Sequence, residues 1–168
     1  AIDNTAVGYQ AMSALTTGDD NTAVGMRALL DLESGNKNTG LGESAGRSIT
    51  SGEENVMVGT QAGDAVTDGG SNTIVGVNAG TSNNFSYNTF IGREAGRDVR
   101  GSSANGQVAV GTNALAGMTS GIYNTAVGYQ AIGGGTGGAN TSYNTALGYQ
   151  AGKALAGNSN GNVAIGTF

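Results

Sequence analysis

The chain has no cysteine and no histidine among its 168 residues. That removes disulfides, thiol nucleophiles, zinc-finger ligand sets and an imidazole base. Tryptophan is also absent, and aromatic residues make up only 5%. A rounded globular core leans on large rings, so the interior here must be built from small aliphatics. Cations are scarce: seven Lys and Arg stand against twelve Asp and Glu, for a formal charge of −5. An acidic chain with so few bases is poorly equipped to bind a phosphate backbone, so nucleic acid is not an expected partner. No apolar run approaches the roughly 20 residues of a membrane-spanning helix, and no signal peptide is visible. Membrane insertion of this segment is therefore not expected.

What remains is also uneven. All twelve acids and five of the seven bases fall before residue 99, leaving the second part nearly uncharged. Glycine is abundant, at 32 residues, but follows no Gly-X-Y period, which excludes collagen. Composition alone suggests a flexible polar segment. A periodicity that runs from end to end overrides that reading.

The period is carried by the pentapeptide Asn4-Thr5-Ala6-Val7-Gly8. Ten copies begin at residues 4, 21, 38, 55, 72, 88, 107, 124, 144 and 162, most of them 17 residues apart. Each copy is numbered here from its Asn as position 0. Position +3 is Val, Leu or Ile in every copy, and position +1 is Thr or Val. β-branched residues in alternation favour a short strand, and +1 and +3 share one of its faces. Both are expected to point inward, which leaves +2 outward. Because +2 is apolar throughout and includes Met57, Ile74 and Phe90, it is expected to meet other chains. Position +4 is always Gly and +7 is Ala in all nine copies that reach it, which marks a close turn and a cramped site. Position +11 adds a second apolar stripe, and polar turn residues close the unit.

This pattern predicts an all-β fold: one parallel β-solenoid (β-roll or β-helix) of about ten coils over residues 1–168, with one 17-residue repeat per coil. A single coil cannot stabilise itself, so stacking is obligatory and association of chains, most simply as a homotrimer, is expected. The side chains of Asn4, Asn21, Asn38, Asn55, Asn72, Asn88, Asn124, Asn144 and Asn162 are expected to form a hydrogen-bonded ladder along the axis. Gln107 retains the amide in the remaining copy. The chain opens at Ala1 and closes at Phe168 inside a repeat, which suggests a fragment of a longer fibre.

Copies such as Asn162-Val163-Ala164-Ile165-Gly166 and Asn124-Thr125-Ala126-Val127-Gly128-Tyr129-Gln130-Ala131 resemble the head repeats of YadA-type trimeric autotransporter adhesins. They are still more similar to the NTAVGYQA repeats of phage tail fibres. The resemblance implies a homotrimer at a virion or cell surface, extracellular and used for attachment. The adhesin repeat is shorter than the one found here.

Candidate contact residues follow from the irregular parts of the array. Intervals 81–87, 101–106 and 133–143 depart from the regular turn, and insertions in a solenoid become loops on one side. Tyr9, Tyr129 and Tyr149 at +5, with Asn140 and Tyr143, are the candidate contacts for a cell-surface glycan or protein receptor. Tyrosine packing over the Gly turn is the alternative. Paired acids at Asp19-Asp20 and Glu53-Glu54 read as a solvated edge rather than a calcium site. Glu43, Asp64 and Glu94 are the acids available for glycosidic cleavage, but no motif surrounds them. The expectation is therefore a non-enzymatic adhesive segment with no cofactor and no catalytic residues. A purely structural spacer and a polysaccharide-degrading tail spike are the alternatives. Inward Thr at +1 also argues against an ice-binding face.

Overall fold

The computed structural model describes residues 1–82, 84–99, 104–133, 141–155 and 159–167. Ten three-residue strands carry the repeat: β1 (Thr5–Val7), β2 (Thr22–Val24), β3 (Thr39–Leu41), β4 (Val56–Val58) and β5 (Thr73–Val75), then β6 (Thr89–Ile91), β7 (Val108–Val110), β8 (Thr125–Val127), β9 (Thr145–Leu147) and β10 (Val163–Ile165). They form one parallel sheet in chain order. The register is that of the repeat: Thr5 pairs with Thr22, Ala6 with Ala23, Val7 with Val24, and so on to β10. The chain is a β-solenoid with one copy of the repeat per coil, here numbered coils 1–10. Parallel strands about 4.8 Å apart give ten strands a length of roughly 43 Å.

Backbone hydrogen bonds run along the axis in both directions. The +1 amide donates to the Asn carbonyl one coil ahead, as Thr22 does to Asn38 (2.8 Å). The +4 amide donates one coil back, as Gly25 does to Val7 (2.8 Å). Within each coil the Ala at +7 donates to the Gly at +4 (Ala28 to Gly25, 3.3 Å), closing a tight turn. Gly is required at +4 because φ there is 125° to 140° and the neighbouring turn lies directly against it. A Cβ on Gly8 would sit 2.5 Å from the Gly25 carbonyl oxygen.

The two faces of the sheet are the reverse of the sequence expectation. Position +2 is the interior: Ala23, Met57, Ile74, Phe90, Ala109, Ala126 and Ala146 are all fully buried. Positions +1 and +3 point out, with Val7 57%, Leu41 46%, Leu147 49% and Ile165 74% exposed. Alternation divides a strand into two sets without saying which set is inside. What decides is the partner across the coil, position +8. Where +2 is Ala, as in coils 1, 2, 7 and 8, +8 is Met12, Leu29, Leu115 or Ile132. Where +2 is Met57, Ile74 or Phe90, +8 is Gly63, Gly80 or Gly96. In these seven coils one large side chain occupies a cavity with room for one. Coil 9 departs, with Ala146 at +2 and Gly152 at +8, and Leu155 and Ile132 border the space. Coil 3 has Gly at both positions, and Leu29 and Met57 from the coils on either side fill the gap.

Ala at +7 and the apolar residues at +11 complete the core: Ala28, Ala45 and Ala62 are fully buried, as are Leu32, Ile49, Val66 and Val99. Coil 5 has Asn83 at +11, a residue outside the described part. Phe85 enters the core there instead and meets Phe90 edge to face, ring centroids 5.4 Å apart.

Candidate association face

The conserved-spacing Asn residues lie inside one corner of the coil and form a continuous chain of side-chain hydrogen bonds. Asn38 shows the unit. Its Oδ1 accepts from the Asn55 amide (3.1 Å) and from Asn55 Nδ2 (3.0 Å). Its own Nδ2 donates to Asn21 Oδ1 (3.1 Å) and to the Gly52 carbonyl (2.8 Å). The links continue from Asn4 through Asn162. Into Asn72 and Asn88 they run from the next backbone amide alone, Asn88 N–H to Asn72 Oδ1 (3.0 Å) and Gln107 N–H to Asn88 Oδ1 (2.7 Å). Gln107 Oε1 accepts from the Asn124 backbone amide and Nδ2 (both 3.1 Å). Asn38, Asn55 and Gln107 are fully buried, and no buried side-chain nitrogen or oxygen among the described residues lacks a partner. This corner is structural, with no free valence left for a ligand.

A second polar column, not expected from the sequence, stands two residues before position 0 in most copies, with Ile2, Gly70 and Ile122 as the apolar or side-chain-free exceptions. The Oδ1 of Asp19 accepts from the Ile2 amide (2.7 Å), Asn36 from Asp19 (2.8 Å), Asn105 from Ser86 (2.8 Å) and Asn160 from Ser142 (2.8 Å). The signal was present as Asp, Asn or Ser at −2 in most copies. The acidic turn at Glu53 is tied into the same edge through Asn36 Nδ2 (2.9 Å). Of the three acids considered for glycosidic cleavage, Glu94 is nearly buried and ion-paired with Arg93 and Arg97 (both 2.6 Å). Asp64 lies in coil 4 and Glu43 at +5 of coil 3, beside the outer face, so the three occupy different positions in different coils.

The tyrosines form two columns, one on each flank of the outer face. At +5, Tyr129 and Tyr149 stack with centroids 5.3 Å apart and planes 12° from parallel. At −1, Tyr123 and Tyr143 stack at 5.6 Å and 29°. Tyr9 is exposed at +5 of coil 1, and Asn140 lies outside the described residues. Stacking matters chemically. Each stack is a pair, so one face of every stacked ring is covered by its neighbour, while the rings stay 42–58% exposed. Intervals 81–87, 101–106 and 133–143 are described only in part. In the first, Asn84 Oδ1 accepts from the Thr67 and Asp68 amides (both 2.8 Å) and Phe85 is in the core, while Tyr87 is exposed.

Between the tyrosine flanks runs the +1 and +3 face. It holds Thr or Val beside Val, Leu or Ile at every coil, in register, with no charge. An uninterrupted apolar rank over the whole length of a sheet is unusual for a surface left to water. Comparison with protein-family models, curated proteins and solved structures returns no match. Among the described residues the clefts are open and shallow: one of about 220 Å³ is lined by Glu94, Arg97, Asn113 and Gln130, and a polar one of about 420 Å³ by Ser51, Glu53, Glu54, Asp68, Ser86 and Tyr87.

Proposed function

We propose that this chain is a non-enzymatic structural and adhesive segment of a homotrimeric fibre at a virion or cell surface. The observation that carries the reading is the uncharged +1 and +3 face. It runs through all ten coils, and other chains of the same kind would remove it from water. At about 25 cal/mol per Å² of apolar surface, ten aliphatic side chains per chain make a strong drive to associate. An axial array held by ladders of buried amides suits a load-bearing rod, and the turn side opposite the shared seam remains free for attachment to a glycan or protein receptor.

The outward Thr rank supports one other reading. Thr at +1 points outward rather than inward, so its orientation does not exclude an ice-binding face. Yet the +3 rank mixes Val with Leu41, Ile91, Leu147 and Ile165, giving a surface of uneven height that suits interdigitation better than a crystal plane. Ice grown in dilute protein separates the two: unmodified hexagonal growth is expected, and faceting would favour ice.

Sedimentation equilibrium at micromolar concentration tests the fibre reading. Three times the 16.4 kDa chain mass is expected. A species of one chain mass at every concentration would overturn it. A reducing-end assay with surface polysaccharides tests the non-enzymatic part: no released sugar is expected, and release would establish the tail-spike alternative.

A further inference from the structure

The two flanks of the outer face carry matching side chains in five of the ten coils, coils 2, 3, 6, 8 and 9. Position −1 bounds the face on one side and position +5 on the other, separated by up to about 20 Å of extended chain. In coil 3 these are Lys37 and Glu43; both are exposed, and among the described residues neither makes an ion pair within its own chain. In coil 2 Asp20 stands at −1 and Arg27 just past +5. In coil 6 Tyr87 faces across to Arg93. In coils 8 and 9 both flanks are tyrosine, Tyr123 with Tyr129 and Tyr143 with Tyr149.

No chain can close these pairs on itself, because the face lies between them. A neighbouring copy can. When chains are arranged about an axis parallel to the coil axis, with their outer faces inward, the −1 flank of each meets the +5 flank of the next. We propose that the copies associate in this heterologous, parallel and unshifted way, with flank pairing fixing the register. This rests on the self-association proposed above and adds which residues meet.

At zero shift the pairs are Asp20 with Arg27, Lys37 with Glu43, the Arg93 guanidinium (held by Glu94 in its own chain, its side chain still largely exposed) over the Tyr87 ring, and tyrosine with tyrosine in coils 8 and 9. A slip of one coil in one direction sets Glu54 against Glu43 and Lys37 beside Arg27. A slip in the other direction sets Asp20 against Glu43 and breaks the Lys37 and Glu43 pair, with Asp3 beside Arg27 as its one new opposite-charge contact. Either slip also turns Arg93 away from Tyr87 and leaves one tyrosine pair in place of two. The uncharged face supplies attraction with almost no preference for register, since every coil presents nearly the same side chains. A slip repeated at every seam would wind an open filament rather than close a ring. The flanks favour the closed, unshifted form, by pairing at one alignment and by repulsion at its neighbours.

The chain has no cysteine of its own, so engineered thiols report unambiguously. Lys37→Cys and Glu43→Cys chains are mixed, assembled and oxidised with diamide, with sedimentation run on the same samples. A disulfide between the two variants is expected in the mixture. Neither variant alone should form one, because residue 37 meets residue 43 and not itself. Lys37→Cys mixed with Val77→Cys, two coils away, should cross-link far more slowly. Lys37→Glu and Glu43→Lys should each weaken assembly, and the double exchange should restore it. A monomer by sedimentation would overturn the self-association itself. An oligomer in which Lys37→Cys links to itself, or links equally well to Val77→Cys, would overturn the register while leaving association standing.

Discussion

The ring of Phe90 occupies the space beside Gly96: a Cβ on that glycine would lie 2.7 Å from ring carbons Cδ2 and Cε2. One residue is large because the other has no side chain. The same exchange runs the other way in coils 1, 2, 7 and 8, where Met12, Leu29, Leu115 and Ile132 stand at +8 with φ of 47° to 55° and Ala stands at +2.

Phe90→Ala should therefore cost about 3–5 kcal/mol, as expected for a large core ring replaced by a cavity. Gly96→Leu alone should also destabilise, since two side chains would claim one space. Combined, they reproduce the coil 2 arrangement, and the double variant should be more stable than Phe90→Ala. Urea unfolding of all four proteins gives the coupling energy directly. Additive losses would contradict the volume exchange.

Asn38→Ala removes the acceptor for both the Asn55 amide and Asn55 Nδ2, and the donor to Gly52. Buried groups left without partners cost about 1–3 kcal/mol each. Loss of several kcal/mol is expected by urea unfolding, with Asn38→Gln milder because Gln107 already fills the equivalent place. An Asn38→Ala protein of undiminished stability would show that the ladder is incidental.

The outer and inner faces should respond oppositely to charge. Ile91→Asp, on the exposed rank, should leave the far-ultraviolet circular dichroism unchanged and abolish association. Met57→Asp, in the core, should prevent folding, since a buried unpaired carboxylate is strongly penalised. Unfolding of both variants would place Ile91 inside.

Two carboxylates respond to pH with opposite signs. Burial raises the Asp64 carboxyl above its ordinary range, with Arg47 offsetting part of the shift. Its ionised form is thus penalised in the fold, fully above the folded pKa and not at all below the unfolded one. Asp64→Asn should stabilise the protein at neutral pH, and the gain should vanish below about pH 4. Hydrogen bonds from Thr50 and Ser51 hold the Asp68 carboxyl below its ordinary range. That contribution is present above the unfolded pKa and lost as pH falls through the folded one. Asp68→Asn should destabilise slightly at neutral pH and have no effect in strong acid. Thermal melts from pH 2 to 7 distinguish the two signs.

The solenoid, its period and its register were legible because the repeat fixes which residues stack: whatever stands at Val7 must recur at Val24 and Leu41. The direction of each face was not. Reading +3 as interior relied on its being aliphatic in every copy, and a seam between chains imposes that same demand. The reciprocal sizes of Ala23 with Leu29 and of Phe90 with Gly96 did carry the answer, since only residues sharing one closed space compensate in volume. Of the candidate contacts, Tyr129, Tyr143 and Tyr149 stand on the flanks of the outer face, and their mutual stacking along the axis could be inferred only once the coil was closed. The −2 column was hidden because its residue type changes between Asp, Asn and Ser while its hydrogen bond does not.

The reactivity of a single thiol at position 41 tests the buried seam most directly. Leu41 is nearly half exposed in one chain taken alone, so Leu41→Cys in an isolated solenoid would react with maleimide as fast as Glu33→Cys on the exposed turn. In the native protein at micromolar concentration, the position 41 thiol is expected to be protected while the position 33 thiol reacts freely, and dilution or Ile91→Asp should abolish that protection. Equal rates at both positions in the undiluted protein would contradict an outer face covered by other chains.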